Sequence, residues 1–199
     1  MAWKPDYASL VEMRNYAGIT HLNDDEELAF AITAASRAID RATNRQFGKV
    51  DTPELRKYTP RFDRRRNTWI IVVDDLMDDT GLTITTEDGG TIDSYFLEPI
   101  NAAQVNAPWT QIVVKRDSSV QPTGQDHEVS AVAPWGWTST PVPIKKATLL
   151  QGNRFHARRT SPFGVAGSPD MGAELRLLEK VDPDVKVSLG PYIRWWAAA

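Results

Sequence analysis

The sequence contains no cysteine among its 199 residues. This absence excludes disulfide bonds, thiolate metal sites and cysteine nucleophiles, and it is typical of proteins made in a reducing compartment. Histidine is also scarce, since only His21, His127 and His156 occur. They are far apart along the chain, and none has a partner at metal-ligand spacing. We therefore predict that the protein has no metal site.

Long apolar runs are missing as well. No stretch approaches the length of about eighteen apolar residues that a membrane-spanning helix needs. The amino-terminal residues MAWKPDYASL do not show the basic region followed by an apolar region that marks a signal peptide. We expect a protein without a membrane span that is made in a cytoplasm.

The motifs of common catalytic sites are absent too. The sequence has no glycine-rich phosphate loop, nucleophile elbow or helical His-Glu pair. The acidic run Asp74, Asp75, Asp78 and Asp79 suggests calcium at first, but it lacks the alternating ligands and closing glutamate of an EF-hand loop. A solvated turn is the favoured interpretation of this run. We predict a protein that is not an enzyme, with no catalytic residues and no cofactor.

Charge is distributed unevenly along the chain, although the net charge is only -3. Residues 1–56 carry 7 basic and 9 acidic side chains, and residues 57–140 carry 7 and 12. Residues 141–199 reverse the balance, with 9 basic and 5 acidic side chains. This asymmetry favours contact between unlike surfaces, in neighbouring copies or in different proteins.

Helical patterns occupy both ends of the chain. Ser9 and Glu12 have capping-box spacing and predict a short helix over residues 9–17. A longer helix is predicted over about residues 24–45, with Asn23 as its N-cap and an apolar stripe at intervals of three to four residues. Beyond the middle of the chain, Pro143 suits the first turn of a third helix that reaches about Phe155. A fourth helix is predicted over residues 173–181, and a short helical turn after Pro183.

The middle of the chain changes to a period of two. Segments rich in β-branched and aromatic residues predict strands over 68–73, 82–86, 91–97, 110–115 and 128–133. The predicted fold class is therefore α+β, a helical body of about four helices with an inserted small antiparallel β sandwich or barrel. We divide the chain into helices at 1–56, a β insertion at 57–140, helices at 141–189 and an extended carboxyl-terminal tail at 190–199.

Two groups of arginines are candidate partner-binding residues. Arg37, Arg41 and Arg45 follow one another at spacings of four in the long helix. Their position near the helix end complements the helix dipole, but three like charges in one row also repel, so an anionic partner is a second interpretation. Arg154, Arg158 and Arg159 form a similar basic end on the third helix, for which a dipole role and a contact with a partner remain equal alternatives.

The seven tryptophans raise the question of a binding surface. Trp69 lies in an apolar strand and is predicted to be core, whereas Trp135 and Trp137 are expected to pack where the β segment ends. The tail carries Tyr192, Arg194, Trp195 and Trp196, residue types that are enriched at binding hot spots. We expect this tail to dock on another chain, with folding back onto its own helices as the alternative.

The chain resembles the head-tail connector, or head-to-tail adaptor, proteins of tailed bacteriophages. The matching fragments are YASLVEMRNYAGI, DDEELAFAITAASRAIDRATNRQFG, DDLMDDTGLTI, YFLEPINAA, GWTSTPVPIKKATLLQGNRFHARRTSPFGVAG and LEKVDPDVKVSLGPYIR. Their order and spacing cover nearly the whole chain. The likeness is greatest to the larger adaptors of phages that infect actinobacteria.

The resemblance implies a structural virion protein at the head-tail interface, assembled in the host cytoplasm. Family members form a ring, typically a dodecamer, that binds beneath the portal protein and receives a stopper or another neck or tail protein. DNA passes through the channel without sequence-specific binding. Two other classes stay open at this point: a monomeric carbohydrate-binding β module with helical flanks, and a DNA-packaging or DNA-binding factor, against which the acidic balance argues.

Overall fold

The structure is a computed structural model that describes residues 4–158 and 183–195. The chain divides into two compact units. Among the described residues, the β unit contains 48–139, and the helical unit contains 4–47, 140–158 and 183–195. The chain therefore leaves the helical unit at Phe47 and re-enters it at Thr140. The sequence-based boundary between residues 56 and 57 lies inside a strand of the β unit.

The helical unit begins with α1 (Leu10–Ala17) and α2 (Asp25–Thr43). The predicted capping box is confirmed, because the Ser9 side chain accepts a hydrogen bond from the Glu12 amide and the Glu12 carboxylate accepts one from the Ser9 amide. The prediction of Asn23 as the cap of α2 is wrong. The carbonyl of Asp24 accepts the first helical hydrogen bond, from the Leu28 amide, so Asp24 is the N-cap, and its side chain makes no capping bond.

The helical unit continues with α3 (Val142–Arg158) and α4 (Pro183–Leu189), followed by a 3-10 turn at Gly190–Tyr192. Pro143 lies in the first turn of α3, as predicted, and α4 confirms the helical turn after residue 182. The predicted helix at 173–181, Arg159 and Trp196 lie outside the described residues.

Close packing of α2 against α3 forms the centre of the helical unit. Met13, Leu28 and Ile32 belong to one buried cluster. A Cβ atom at Gly152 of α3 would lie 3.3 Å from the Met13 side chain and 3.5 Å from the Ala31 carbonyl of α2. The small residue Ala31 of α2 therefore lets α3 approach closely, and Ala31 and Ala35 are both buried.

The β unit contains two antiparallel sheets. One has the strand order β1-β7-β4, and the other has the order β2-β3-β6-β5. The strands are β1 Glu54–Tyr58, β2 Pro60–Asp63, β3 Thr68–Leu76, β4 Thr83–Thr86, β5 Tyr95–Glu98, β6 Trp109–Val114 and β7 Val129–Ala133. Side chains of both sheets, among them Ile71, Ile84 and Val129, share one hydrophobic core.

This architecture confirms the predicted α+β fold class. Within the described residues the two sheets stay open and do not close into a barrel. The sequence patterns located β3, β4, β6 and β7 within a few residues. The predicted strand at 91–97 overlaps β5 but begins four residues too early, and β1 and β2 were missed. In the described part of the chain, no helix combines the length and the apolar character that crossing a membrane requires.

Candidate partner-binding surfaces

The arginine row of α2 divides into residues with different environments. The Arg37 guanidinium donates hydrogen bonds to the backbone carbonyls of Lys4 (3.1 Å) and Pro5 (2.6 Å) and forms an ion pair with Asp40 at 3.2 Å. It also lies 5.7 Å from the centre of the Tyr7 ring. Arg37 therefore ties the segment before α1 to α2 inside the helical unit.

A buried hydrogen-bond chain lies beside Arg37. The Tyr7 hydroxyl donates to the Asp40 carboxylate and accepts a hydrogen bond of 3.0 Å from the Phe47 amide. Burial, together with the bond to Asp40, raises the pKa of Tyr7 well above its ordinary value. Burial also raises the pKa of Asp40, although the bond from Tyr7 opposes that shift. These hydrogen bonds hold the segment that follows α2 in place.

Two of the four other described arginines in the predicted groups are exposed. Arg41 is exposed in the last turn of α2, whereas Arg45 is half-buried. On α3, Arg154 is half-buried and Arg158, the last described residue of the helix, is exposed. Among the described members of both groups, Arg41 and Arg158 thus offer the most accessible positive charge to a partner.

The carboxyl-terminal segment divides at Trp195. The Tyr192 ring packs edge-on against Phe47 with centroids 5.7 Å apart. The Arg194 amide donates a hydrogen bond of 2.8 Å to the Thr43 carbonyl, and the Arg194 side chain is buried. Trp195, by contrast, is 84% exposed. Tyr192 and Arg194 therefore fold back onto their own unit, while Trp195 leaves a large indole in solvent.

Trp135 and Trp137 pack inside the β unit, which confirms their predicted role. They are 1% and 4% exposed. The indole N–H of Trp135 donates to the Glu54 carbonyl, and that of Trp137 donates to the Asp75 carboxylate, both at 2.8 Å. These two tryptophans have no free face for a sugar, which removes them from the carbohydrate-binding alternative.

Trp69 lies at the edge of the same core. Its ring is half-buried against the core cluster and packs against Phe62 of the neighbouring strand, with ring centroids 5.1 Å apart. The prediction that Trp69 is a core residue is therefore confirmed in part, because one part of the indole stays accessible.

The prediction that the acidic run is a solvated turn is wrong for Asp74 and Asp75. Asp74 and Asp75 belong to β3, where Asp74 accepts hydrogen bonds from Arg56 (2.8 Å) and Tyr58 (3.1 Å). Asp78 bonds to Lys49 at 2.6 Å, and this bond holds the pKa of Asp78 well below its ordinary value. Among the described residues, no group of three or more potential metal ligands comes together.

Sequence reasoning missed two surface features. Phe30 of α2 and Leu22 before it are 64% and 65% exposed. Phe30 lies off the apolar stripe that Leu28 and Ile32 define, so its exposure was readable from the helical period. The second feature is the arginine-rich turn between β2 and β3, which the run DRRRN marked in the sequence.

No protein-family model and no curated protein matches this chain. Among solved structures, the fold is similar to a chain in the "Neck of empty GTA particle computed with C6 symmetry", where GTA denotes a gene transfer agent. The TM-score is 0.58 and the sequence identity is 14%; the match covers 100% of this chain and 95% of that chain. At this identity the likeness concerns the fold, which both units of the present chain share with a chain of a particle neck.

Proposed function

We propose that this protein is a structural component of the neck of a tailed-phage or phage-like particle, where it acts as a head-to-tail adaptor. In this proposal, copies of the chain form a ring beneath the portal protein. The ring provides the binding surface for a stopper or another neck or tail protein. The ring surrounds the channel through which DNA passes. The role is structural and needs neither a catalytic site nor a cofactor.

The observation that carries the proposal is the extent of the structural likeness. It spans the helical unit and the β unit together and nearly all of the neck chain. A likeness confined to one unit would fit any protein that had acquired a common module. The order of the sequence fragments that resemble head-to-tail adaptors supports the same role independently.

A ring is the expected form of assembly for a neck component. The particle with the similar neck chain was computed with C6 symmetry, with which a dodecameric ring is compatible. Each copy in a ring meets its neighbours through two different faces, because the contacts are heterologous. The contrast between the acidic segment 57–140 and the basic segment 141–199 suits such unlike faces.

The exposed members of the predicted surfaces are the candidates for these contacts. Trp195 offers an indole of the kind that dominates binding energy when it enters a partner pocket. Arg41 and Arg158 add accessible charge on the helical unit. We propose that Trp195 contacts the portal protein or a neighbouring copy, while Tyr192 and Arg194 position it through their contacts with the chain's own helices.

Co-elution with the portal protein of the same phage tests the proposal. The full-length chain is co-expressed with the portal, and the complex is analysed by size exclusion with mass measurement. We expect an assembly with many copies of the chain, and we expect Trp195→Ala to weaken it. Ile100→Ala is a matched control, because Ile100 is an exposed apolar residue of the β unit. A chain that stays monomeric and never co-elutes with the portal contradicts the proposal.

A further inference from the structure

Basic residues of the β unit gather at one end of the four-stranded sheet. Segment 57–140 holds seven, and six of them lie at this end. Because β3 runs antiparallel to β2 and β6, the turn between β2 and β3 lies beside the residues that follow β6. We call this region the basic end; its cations are Arg61, Arg64, Arg65, Arg66, Lys115 and Arg116.

Hydrogen bonds fix the geometry of the basic end. The Asp63 carboxylate accepts bonds from the amides of Arg65 (2.9 Å) and Arg66 (3.3 Å), which shapes the turn. The Arg116 guanidinium donates to the carbonyls of Arg66 (2.8 Å) and Asn67 (3.1 Å). The turn and the chain after β6 are thereby held together, with the Arg116 guanidinium against the backbone of the turn.

Part of this charge is neutralised and part is free. Arg66 forms hydrogen bonds of 2.9 Å with both carboxylate oxygens of Glu98. Arg61, Arg64 and Arg65 are exposed, and their guanidinium groups make no ion pair with any residue in the ranges 4–158 and 183–195. The same end also holds acids, among them Asp63, Asp93, Glu98 and Asp117.

The chemistry of the basic end favours a phosphate backbone over a protein partner. Residues 63–67 and 115–119 contain no apolar side chain, and the neighbouring Phe62, which is 47% exposed, packs against Trp69. Protein interfaces usually have an apolar centre, whereas non-specific DNA binding rests on charge alone. Guanidinium groups also present planar pairs of donors that match phosphate oxygens. An exposed turn that carries several of them is suited to the regular spacing of phosphates along a duplex.

We propose that the basic end of the β unit binds the phosphate backbone of duplex DNA without sequence preference. This inference goes beyond the proposed role in the neck, because that role needs no affinity for DNA. Arg61, Arg64, Arg65 and Arg116 contribute the contacts, while Arg66 and Asp63 hold the turn. The alternative is a structural role, in which the arginines only prevent the edge strand β2 from pairing with other chains.

Fluorescence anisotropy with a labelled random-sequence duplex tests the inference on the full-length chain. The logarithm of the binding constant should fall with the logarithm of the salt concentration, with a slope between about -3 and -4 for four phosphate contacts. The variant R64S/R65S should reduce the size of this slope by about two and weaken binding at least about tenfold at low salt. R64K/R65K keeps the charge and should bind within a few-fold of the natural sequence.

Two controls keep the result unambiguous. K4S/K57S removes two exposed charges elsewhere and should leave DNA binding unchanged. R64S/R65S should still co-elute with the portal, so that its defect is separate from the neck role. A purely edge-protecting function predicts aggregation of R64S/R65S with unchanged DNA affinity. That result overturns the inference. Equal weakening of DNA binding by R64S/R65S and K4S/K57S also overturns it, as does tighter binding to polyglutamate than to DNA or no DNA binding at low salt.

Discussion

The indole N–H of Trp137 donates a hydrogen bond of 2.8 Å to the carboxylate of Asp75, 62 residues earlier in the sequence. Both side chains are buried in the β unit. The backbone repeats the connection, because the Gly136 amide donates to the Asp75 carbonyl at 2.7 Å. The end of β3 is thus joined to the segment through which the chain leaves the β unit.

Replacing Trp137 by phenylalanine should destabilise the β unit. The substitution keeps an aromatic ring but removes one donor from a buried carboxylate, for which a cost of about 1–3 kcal/mol is expected. Chemical denaturation followed by circular dichroism measures the change. Trp195→Phe is the matched control and should leave the free energy of unfolding unchanged, because Trp195 is exposed. Equal stability of both variants would show that the Trp137 bond contributes little.

Gly136→Ala should destabilise the β unit strongly, although it adds only one methyl group. Gly136 has a φ of 112°, and a Cβ atom there would lie 1.9 Å from the Gly48 carbonyl oxygen. Gly81 also has a positive φ, of 73°, but open space surrounds it, so Gly81→Ala should cost only about 1 kcal/mol of backbone strain. We expect Gly136→Ala to lower the melting temperature far more than Gly81→Ala. Similar melting temperatures for the two variants would contradict the close approach of Gly136 to the Gly48 carbonyl.

The Glu12 carboxylate should make stability depend on pH in the acid range. A bond from Lys145 at 2.8 Å, followed by the bond from the Ser9 amide, lowers the pKa of Glu12 from 4.5 to about 2. A lowered pKa stabilises the fold above pH 4.5, and the benefit fades as the pH falls towards 2.

The variant Glu12→Gln provides the test of this pH dependence. Its deficit in the free energy of unfolding, relative to the natural sequence, should be largest near neutral pH and should shrink between pH 4.5 and pH 2. Glu87→Gln, in the exposed turn after β4, should show no such trend. A deficit for Glu12→Gln that stays constant across this range would exclude the proposed ionic contribution.

Trp195→Ala should weaken partner binding without changing stability. Loss of a hot-spot indole costs about 2 kcal/mol or more of binding free energy, whereas an exposed side chain contributes little to the fold. Co-elution with the portal and the melting temperature measure the two effects separately. Tyr192→Ala should behave differently and lower the melting temperature, because Tyr192 packs against Phe47. A lower melting temperature for Trp195→Ala with portal binding retained would contradict the docking role.

Local patterns predicted the elements whose side chains meet a core. The capping box of α1, the apolar stripe of α2 and the alternating strands β3, β4, β6 and β7 all carry such patterns. β1 and β2 were missed because their sequences contain no β-branched residue; both are edge strands. One side of an edge strand faces no neighbouring strand, so the charged segment ELRKY and the proline-led segment PRFD are tolerated there.

The candidate surfaces were predictable in composition but not in exposure. Arg37 looked like part of a basic row, yet its partners Lys4 and Pro5 lie more than thirty residues away. Tyr192 looked like part of a free tail, yet it packs on Phe47. No spacing rule links residues so far apart in sequence. Trp195, without such a partner in the described structure, keeps the exposure that the sequence suggested.

The most direct test of the proposed neck role is a cryo-electron microscopy reconstruction of particles produced from the genome that encodes this chain. We predict a ring of density directly beneath the portal into which both units fit, with Trp195 at a contact between chains. The basic end of the β unit should face the DNA channel if the further inference also holds. Absence of the chain from purified particles, or neck density that neither unit fits, would contradict the account.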